Sequence, residues 1–301
     1  MRASWLPFAP HIPYYLAKSK GWFEQEGVKL RIEHSKGSVA AINLVATGQG
    51  DVALAALDAM ALARSKGLPV KAISSIFRKN EFGICFDKGK NYSKASDFVG
   101  KEVIFTAGSS EAPFIDPFLA TSKVKRSSVK LLSVDASAKY SSFVNGKGDA
   151  VGGSVPYCKA TMTGIRNVDC VLFSDFGMPM LAGGMSANED AIKNKPAALK
   201  AFNKVVAKAW AYVLESDDHV KEACQSMIDA NPQARLKMDN CTKVFAAYRP
   251  FIYSDATKGK PIGYQAPVDW DNTIKTMAKL KLISGDVKAT DFYTSQFEPG
   301  R

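Results

Sequence analysis

No apolar stretch in this sequence approaches the ~20 residues that a helix needs to cross a bilayer. Nor is there any run of five or more like charges, or an Arg-rich arm of the kind that grips nucleic acid. The five cysteines form no C-x-x-C pair, and no histidine stands at metal-ligand spacing from them, so zinc and other metals are not expected. Histidine is scarce, with only His11, His34 and His219. There is no G-x-S-x-G, no H-E-x-x-H and no phosphate-binding P-loop. These absences argue against an enzyme, and no cofactor is expected.

The chain of 301 residues is 46% hydrophobic, with apolar residues spread evenly. That is ample for a packed core and, by length, for two domains. The formal net charge is +11. Most basic residues are isolated lysines beside Asp or Glu; the densest stretch, Lys123, Lys125, Arg126 and Lys130, is broken by Val124, Ser127 and Ser128. The pattern reads as a solvated basic surface, and no nucleic-acid partner is expected. The opening, Met1-Arg2-Ala3-Ser4-Trp5, shows no secretory h-region. That leaves a cytoplasmic protein, or a mature form with an added Met1.

Cys158 with Cys170, or Cys224 with Cys241, could pair in an oxidising compartment. Cys85, within the apolar run Phe82–Phe86, reads as a buried thiol. Five small core residues remain an equal alternative.

Hydrophobic periodicity gives an alternating series. Helix over Pro13–Gln25 is followed by strand over Val28–Glu33, helix over Ser38–Thr47, strand over Asp51–Ala55, helix over Asp58–Lys66 and strand over Val70–Phe77. That is the βαβ pattern of a parallel sheet. A second, shorter series follows, with strands over Glu81–Phe86, Val99–Thr106, Val129–Val134, Ala150–Gly152 and Cys170–Phe173. After Gly177 come an extended Leu181–Ala187 and four helices, from Pro196, Asp217, Gln233 and Asp269. The expected fold is α/β and two-lobed, each lobe a mostly parallel sheet flanked by helices. Lobe one comprises residues 1–82 and 179–301, and lobe two is inserted as residues 83–178. Segments near Asn80–Asp87 and Gly177–Gly184 would form the hinge. Ligands of open α/β sheets lie at the carboxyl ends of strands, which places the site between the lobes.

The first helix reads Trp5-Leu6-Pro7, Pro10-His11, Pro13-Tyr14-Tyr15, Ala17, Lys20-Gly21-Trp22-Phe23 and Glu26-Gly27-Val28. Gly37-Ser38, Gly48-Gln49-Gly50-Asp51, its echo Asn145-Gly146-Lys147-Gly148-Asp149, and the closing Val268-Asp269-Trp270 with Lys279 to Ile283 follow in order. Together they resemble the ABC-transporter solute-binding proteins for thiamine pyrimidine precursors, alkanesulfonates, taurine and nitrate, over essentially the whole chain. The resemblance implies the type II periplasmic-binding-protein fold. It implies a periplasmic or lipid-anchored receptor that is monomeric and passes a small organic solute to a permease and its ATPase. An enzyme that builds the thiamine pyrimidine shares this fold and is the alternative; it carries a cysteine-rich cluster that this chain lacks.

Residues at strand ends and helix starts facing the crevice are the candidate ligand contacts. In lobe one they are Trp5, Pro7, His11, Ser38, Asp58, Phe77 and Arg78; in lobe two, Ser109, Ser110, Glu111, Tyr157 and Asp175. Arg78 with serine-led helix starts would suit an anion such as a sulfonate or aromatic carboxylate. Trp5, Asp58 and Glu111 would suit a stacked heteroaromatic with amino groups, such as a pyrimidine. Both readings stand on the sequence.

Overall fold

Short runs of small and β-branched residues build two separate sheets in the computed structural model, which describes residues 1–300. The chain begins with strand β1 (Arg2–Ala3), helices α1 (Ile12–Ser19) and α2 (Trp22–Gln25), strand β2 (Glu33–His34), helix α3 (Ser38–Ala46), strand β3 (Val52–Ala56), helix α4 (Leu57–Ser65) and strand β4 (Val70–Ser75). It then supplies β5 (Phe82–Asp87), β6 (Glu102–Phe105), α5 (Ile115–Ala120), β7 (Lys130–Ser133), α6 (Lys139–Val144), β8 (Ala150–Ser154), α7 (Val155–Met162) and β9 (Val168–Leu172). Strand β10 (Gly183–Asn188) and helices α8 (Glu189–Asn194), α9 (Pro196–Glu215), α10 (Asp217–Ala230), α11 (Met238–Tyr248) and α12 (Pro267–Lys279) complete it.

The first sheet has the order β2-β1-β3-β10-β4 and the second β7-β6-β8-β5-β9. Each is parallel except for one strand. In the first sheet β10 runs antiparallel between β3 and β4; in the second β5 runs antiparallel between β8 and β9. These are the strands entered directly after the chain passes from one sheet to the other. The parallel series expected for β1 to β4 is therefore interrupted by a strand that returns from the second sheet.

Helix α9 shows what secures the first half. Leu199, Phe202, Val205, Val206, Ala209, Trp210 and Val213 recur at helical spacing, and all are buried. Each large side chain so buried contributes about 1.5–3 kcal/mol. The Trp210 indole also donates to the Tyr14 hydroxyl on α1 at 3.2 Å, so its one polar atom is satisfied in the core.

Four local expectations differ from the structure. Only Glu33–His34 of the anticipated Val28–Glu33 strand joins the sheet, because β1, its sole neighbour, is two residues long; Val28 instead bonds through its N–H to Phe23 O and closes a turn. The first long helix is divided at Gly21, which takes the left-handed φ of 67°. Helix α11 starts at Met238 rather than Gln233, behind a short 3-10 turn at Pro232–Ala234 and a left-handed Arg235. Finally, Cys224 pairs with Cys241, but Cys170 pairs with Cys85 and not Cys158. Cys85 and Cys170 face each other across β5 and β9, with Cα atoms 4.0 Å apart. Cys158, on α7, is a buried free thiol.

Candidate functional site

The carboxyl ends of β3 and β8 and the first loop converge on a cleft between the two sheets, about 650 Å³ including its mouth. Three glycines shape its walls. On β8, a Cβ at Gly153 would lie 2.5 Å from the Tyr140 hydroxyl, and one at Gly152 would lie 3.3 Å from Glu111 Cγ. On β10, a Cβ at Gly183 would lie 2.5 Å from the Phe77 ring. Bare backbone at these points admits Tyr140, Glu111 and Phe77 to the cleft.

Trp5, His11, Ser38, Phe77, Ser110, Glu111 and Tyr157, among the residues anticipated from sequence, line this space. Trp5 is held by its own carbonyl, which lies 2.5 Å from His34 Nδ1, while His34 Nε2 lies 2.6 Å from the Tyr15 hydroxyl. His11 is fully buried with neither ring nitrogen partnered. Burial, with His34 nearby as the lesser cause, holds its pKa well below the usual imidazole value, so the ring is neutral.

Ser38 and Ser110 meet each other rather than standing free. Their hydroxyls are 2.7 Å apart, and Ser38 Oγ also accepts from the Ala56 N–H at 2.8 Å. Close by, the Ala40 N–H reaches Gly108 O at 3.3 Å, and Lys36 pairs with Asp135 at 2.7 Å. The two halves thus touch along one rim of the cleft.

Pro7, Asp58, Arg78, Ser109 and Asp175 lie elsewhere. Asp58 is fully buried beneath the crossover, where it accepts from Asn80 Nδ2 at 2.5 Å and from the Ala59 N–H at 2.7 Å. Burial raises its pKa to about 7. Asn80 Oδ1 in turn accepts from the Phe82 N–H at 2.8 Å, which links α4 to the first residue of β5. Arg78 donates to Tyr264 O and borders a different hollow, shared with Asp175; burial lowers its pKa to about 10. Ser109 is buried outside the lining, and Pro7 faces a neighbouring groove.

Residues not anticipated from sequence supply most of the cleft's charge. Glu81 is 5% exposed, lines the cleft, and has no partner for Oε2. Burial, with a smaller push from Asp58, raises its pKa to about 8. Lys139, on α6, forms a buried ion pair with Glu111. Its ammonium lies 5.2 Å from the Trp5 ring centre and 5.3 Å from that of Tyr140, within cation–π range. Phe8, Tyr140 and Tyr248 extend the aromatic lining, and Tyr248 shares a hydrogen bond with Ser154. Glu81 escaped notice because it opens an apolar strand run. Lys139 sits in an ordinary polar helix start. The Gly152-Gly153 pair was the available sign that side chains from elsewhere pack onto β8.

The chemistry on offer is an aromatic box with one unpaired buried carboxyl, a neutral imidazole, and a lysine whose charge is already balanced. Among the described residues no group of three or more His, Cys, Asp or Glu is placed to hold a metal.

Two mixed five-stranded sheets, joined by two crossovers and facing each other across such a cleft, define the two-lobed type II periplasmic-binding-protein fold. The alkanesulfonate-binding protein SsuA from Xanthomonas axonopodis pv. citri bound to MOPS superposes with a TM-score of 0.72 over 98% of each chain, at 16% identity. Residues 9–219 match the family described as NMT1/THI5 like, and the chain belongs to that family. A formylaminopyrimidine-binding protein from Halalkalibacterium halodurans is 24% identical over 97% of this chain and 88% of its own. A 4-amino-5-hydroxymethyl-2-methylpyrimidine phosphate synthase of Saccharomyces cerevisiae is also 24% identical, over 98% of this chain and 87% of its own.

Proposed function

We propose that this chain is the extracytoplasmic solute receptor of an ABC importer and that its solute is a planar nitrogen heteroaromatic bearing N–H donors, not a small anion. One observation carries the choice of solute: Lys139, the one cationic side chain that lines the cleft among the described residues, is neutralised by Glu111, whereas Glu81 Oε2 is buried and unpartnered. A sulfonate or carboxylate would find no free cation, only the proton of the Glu81 carboxyl, and would oppose its ionisation. An amino group would meet an acceptor, and the ring would find Trp5, Phe8 and Tyr157 to lie against. The formylaminopyrimidine-binding relative supports the same class.

Residues 1–82 with 179–301 form one jaw and residues 83–178 the other. Ligand held by His11 and Trp5 on the first and by Glu111 and Tyr157 on the second favours the closed form by its difference in affinity for the two states. The permease and ATPase then receive the solute from the closed receptor. The chain acts as a binding protein rather than a synthase. Four of its five cysteines lie in disulfides and the fifth is buried.

Thermal-shift and calorimetric titration with formylaminopyrimidine, the hydroxymethyl aminopyrimidine, an alkanesulfonate and nitrate tests the reading. The aminopyrimidines should stabilise the protein by about 2.7 kcal/mol at a hundred times their Kd. Stabilisation by the alkanesulfonate or nitrate alone would reverse the choice of solute. Release of product from a pyrimidine precursor would return the chain to the synthases.

A further inference from the structure

A groove runs alongside the cleft and shares two of its walls. Phe8 and Tyr157 line both spaces, with their ring centres 6.4 Å apart edge to face. Beyond them the floor is apolar, formed by Pro7, Met227 and Val244, and the groove holds about 790 Å³ to its open side. Its far rim is the loop between α10 and α11, which carries Arg235 and Lys237. Both are exposed, and neither side chain makes an ion pair or hydrogen bond among the described residues. The next acid along the chain, Asp239, is turned to Lys243 at 3.9 Å.

That rim is held in place. The Cys224–Cys241 bridge ties α10 to α11 on either side of the loop. Arg235 occupies the left-handed region at φ 49°, a conformation that a non-glycine residue keeps only where its surroundings impose it. The backbone that carries two unpaired cations is thereby held beside an apolar trough, next to an aromatic cleft whose one lining cation among the described residues is already paired.

We infer that the groove is a second subsite for the anionic end of an elongated solute, whose ring fills the cleft while an apolar stem lies across the half-buried outer edges of the Phe8 and Tyr157 rings, which touch each other, to place a carboxylate or phosphate ester against Arg235 and Lys237. The inference rests on the heteroaromatic reading of the cleft and extends it. It assigns the overall negative charge of the solute, if any, to its tail and not to its ring.

The test uses the intact protein and calorimetric titration with four probes: the hydroxymethyl aminopyrimidine, and the same ring carrying an alkyl chain that ends in a carboxylate, a phosphate ester or a neutral methyl ester. The charged chains should bind about tenfold tighter than the methyl ester, the gain expected of two solvent-facing cations. That gain should vanish in Arg235→Gln/Lys237→Gln, in which binding of the parent ring is unchanged. Which charged chain gains more distinguishes carboxylate from phosphate. Equal affinity for charged and neutral chains, or a gain that survives the double substitution, overturns the subsite. If the parent ring fails to bind but a charged chain binds and loses affinity in the double variant, the groove stands and the reading of the cleft falls. If no probe binds, both fall.

Discussion

Replacing Glu81 by Gln should make the ligand-free protein more stable, and by an amount that depends on pH. Its carboxyl titrates near 8 in the fold against an ordinary 4.5, because burial disfavours the charged form. Below pH 4.5 both folded and unfolded chains hold the proton, and there is no penalty. Between 4.5 and 8 the unfolded chain releases its proton while the folded one keeps it, so stability falls as pH rises. Above 8 the folded carboxyl ionises too, and the loss levels off. At roughly 1.4 kcal/mol per pKa unit, the full loss is at most about 5 kcal/mol. At ~2–4 °C per kcal/mol, that is on the order of 10 °C in Tm. Gln holds the same shape without titrating, whereas Asp58, raised to about 7, contributes its own fall to both proteins. Thermal unfolding of the two proteins from pH 5 to 9 should therefore show a gap in Tm that opens between 5 and 8 and then stays constant. Aminopyrimidine binding should move the opposite way: tightening with pH in the wild type, weaker and flat in the variant. A gap in Tm that is the same at pH 6 and pH 9 would refute the buried, unpartnered state assigned to Glu81.

A Cβ at Gly37 would lie 2.1 Å from Gly108 O across the touching rim, at a φ of 145° that only glycine accepts readily. Overpacking of this kind costs about 1–3 kcal/mol, so Gly37→Ala should weaken solute binding by about 5- to 150-fold and reduce ligand-induced compaction in X-ray scattering; unchanged affinity would mean that the rim contact does not accompany binding. Lys139→Met should strand Glu111 in the interior and lower stability by about 3–5 kcal/mol in urea unfolding, with most of the loss recovered by adding Glu111→Gln. No recovery would show that Lys139 acts by something other than this pair. Substituting serine for both Cys224 and Cys241 releases a loop of 17 residues and should cost about 3 kcal/mol at the urea midpoint. A loss well under 1 kcal/mol would show that packing between α10 and α11 already closes that loop.

The alternation of strand and helix was legible because the buried strands are short apolar runs and the helices carry long amphipathic stripes, as α9 does. Periodicity could not show which strands are neighbours. Nothing in Gly183–Asn188 or Phe82–Asp87 says that each runs antiparallel inside an otherwise parallel sheet, since pairing is decided by the path of the crossovers. The same limit explains the cysteines: Cys85 and Cys170 are 85 residues apart in sequence and opposite each other in register. In the cleft, aromatic and hydroxyl residues near the first loop and the start of α3 could be placed from strand ends alone. Glu81 and Lys139 could not, because their meaning lies in what surrounds them: an acid without a partner and a lysine with one. Arg78 and Asp175, taken from strand ends as crevice residues, border a different hollow instead.

The position of Gly183–Asn188 between β3 and β4 also orders the chain's assembly in time. As the protein leaves the ribosome, its first three strands and β4 emerge early but have a gap where a partner belongs. Every strand of the other sheet emerges before that gap can be filled. The inserted half can therefore complete its sheet while the flanking half waits with two open strand edges, exposed to mispairing. A pause or truncation before residue 183 would leave one finished domain joined to one that has no means of closing.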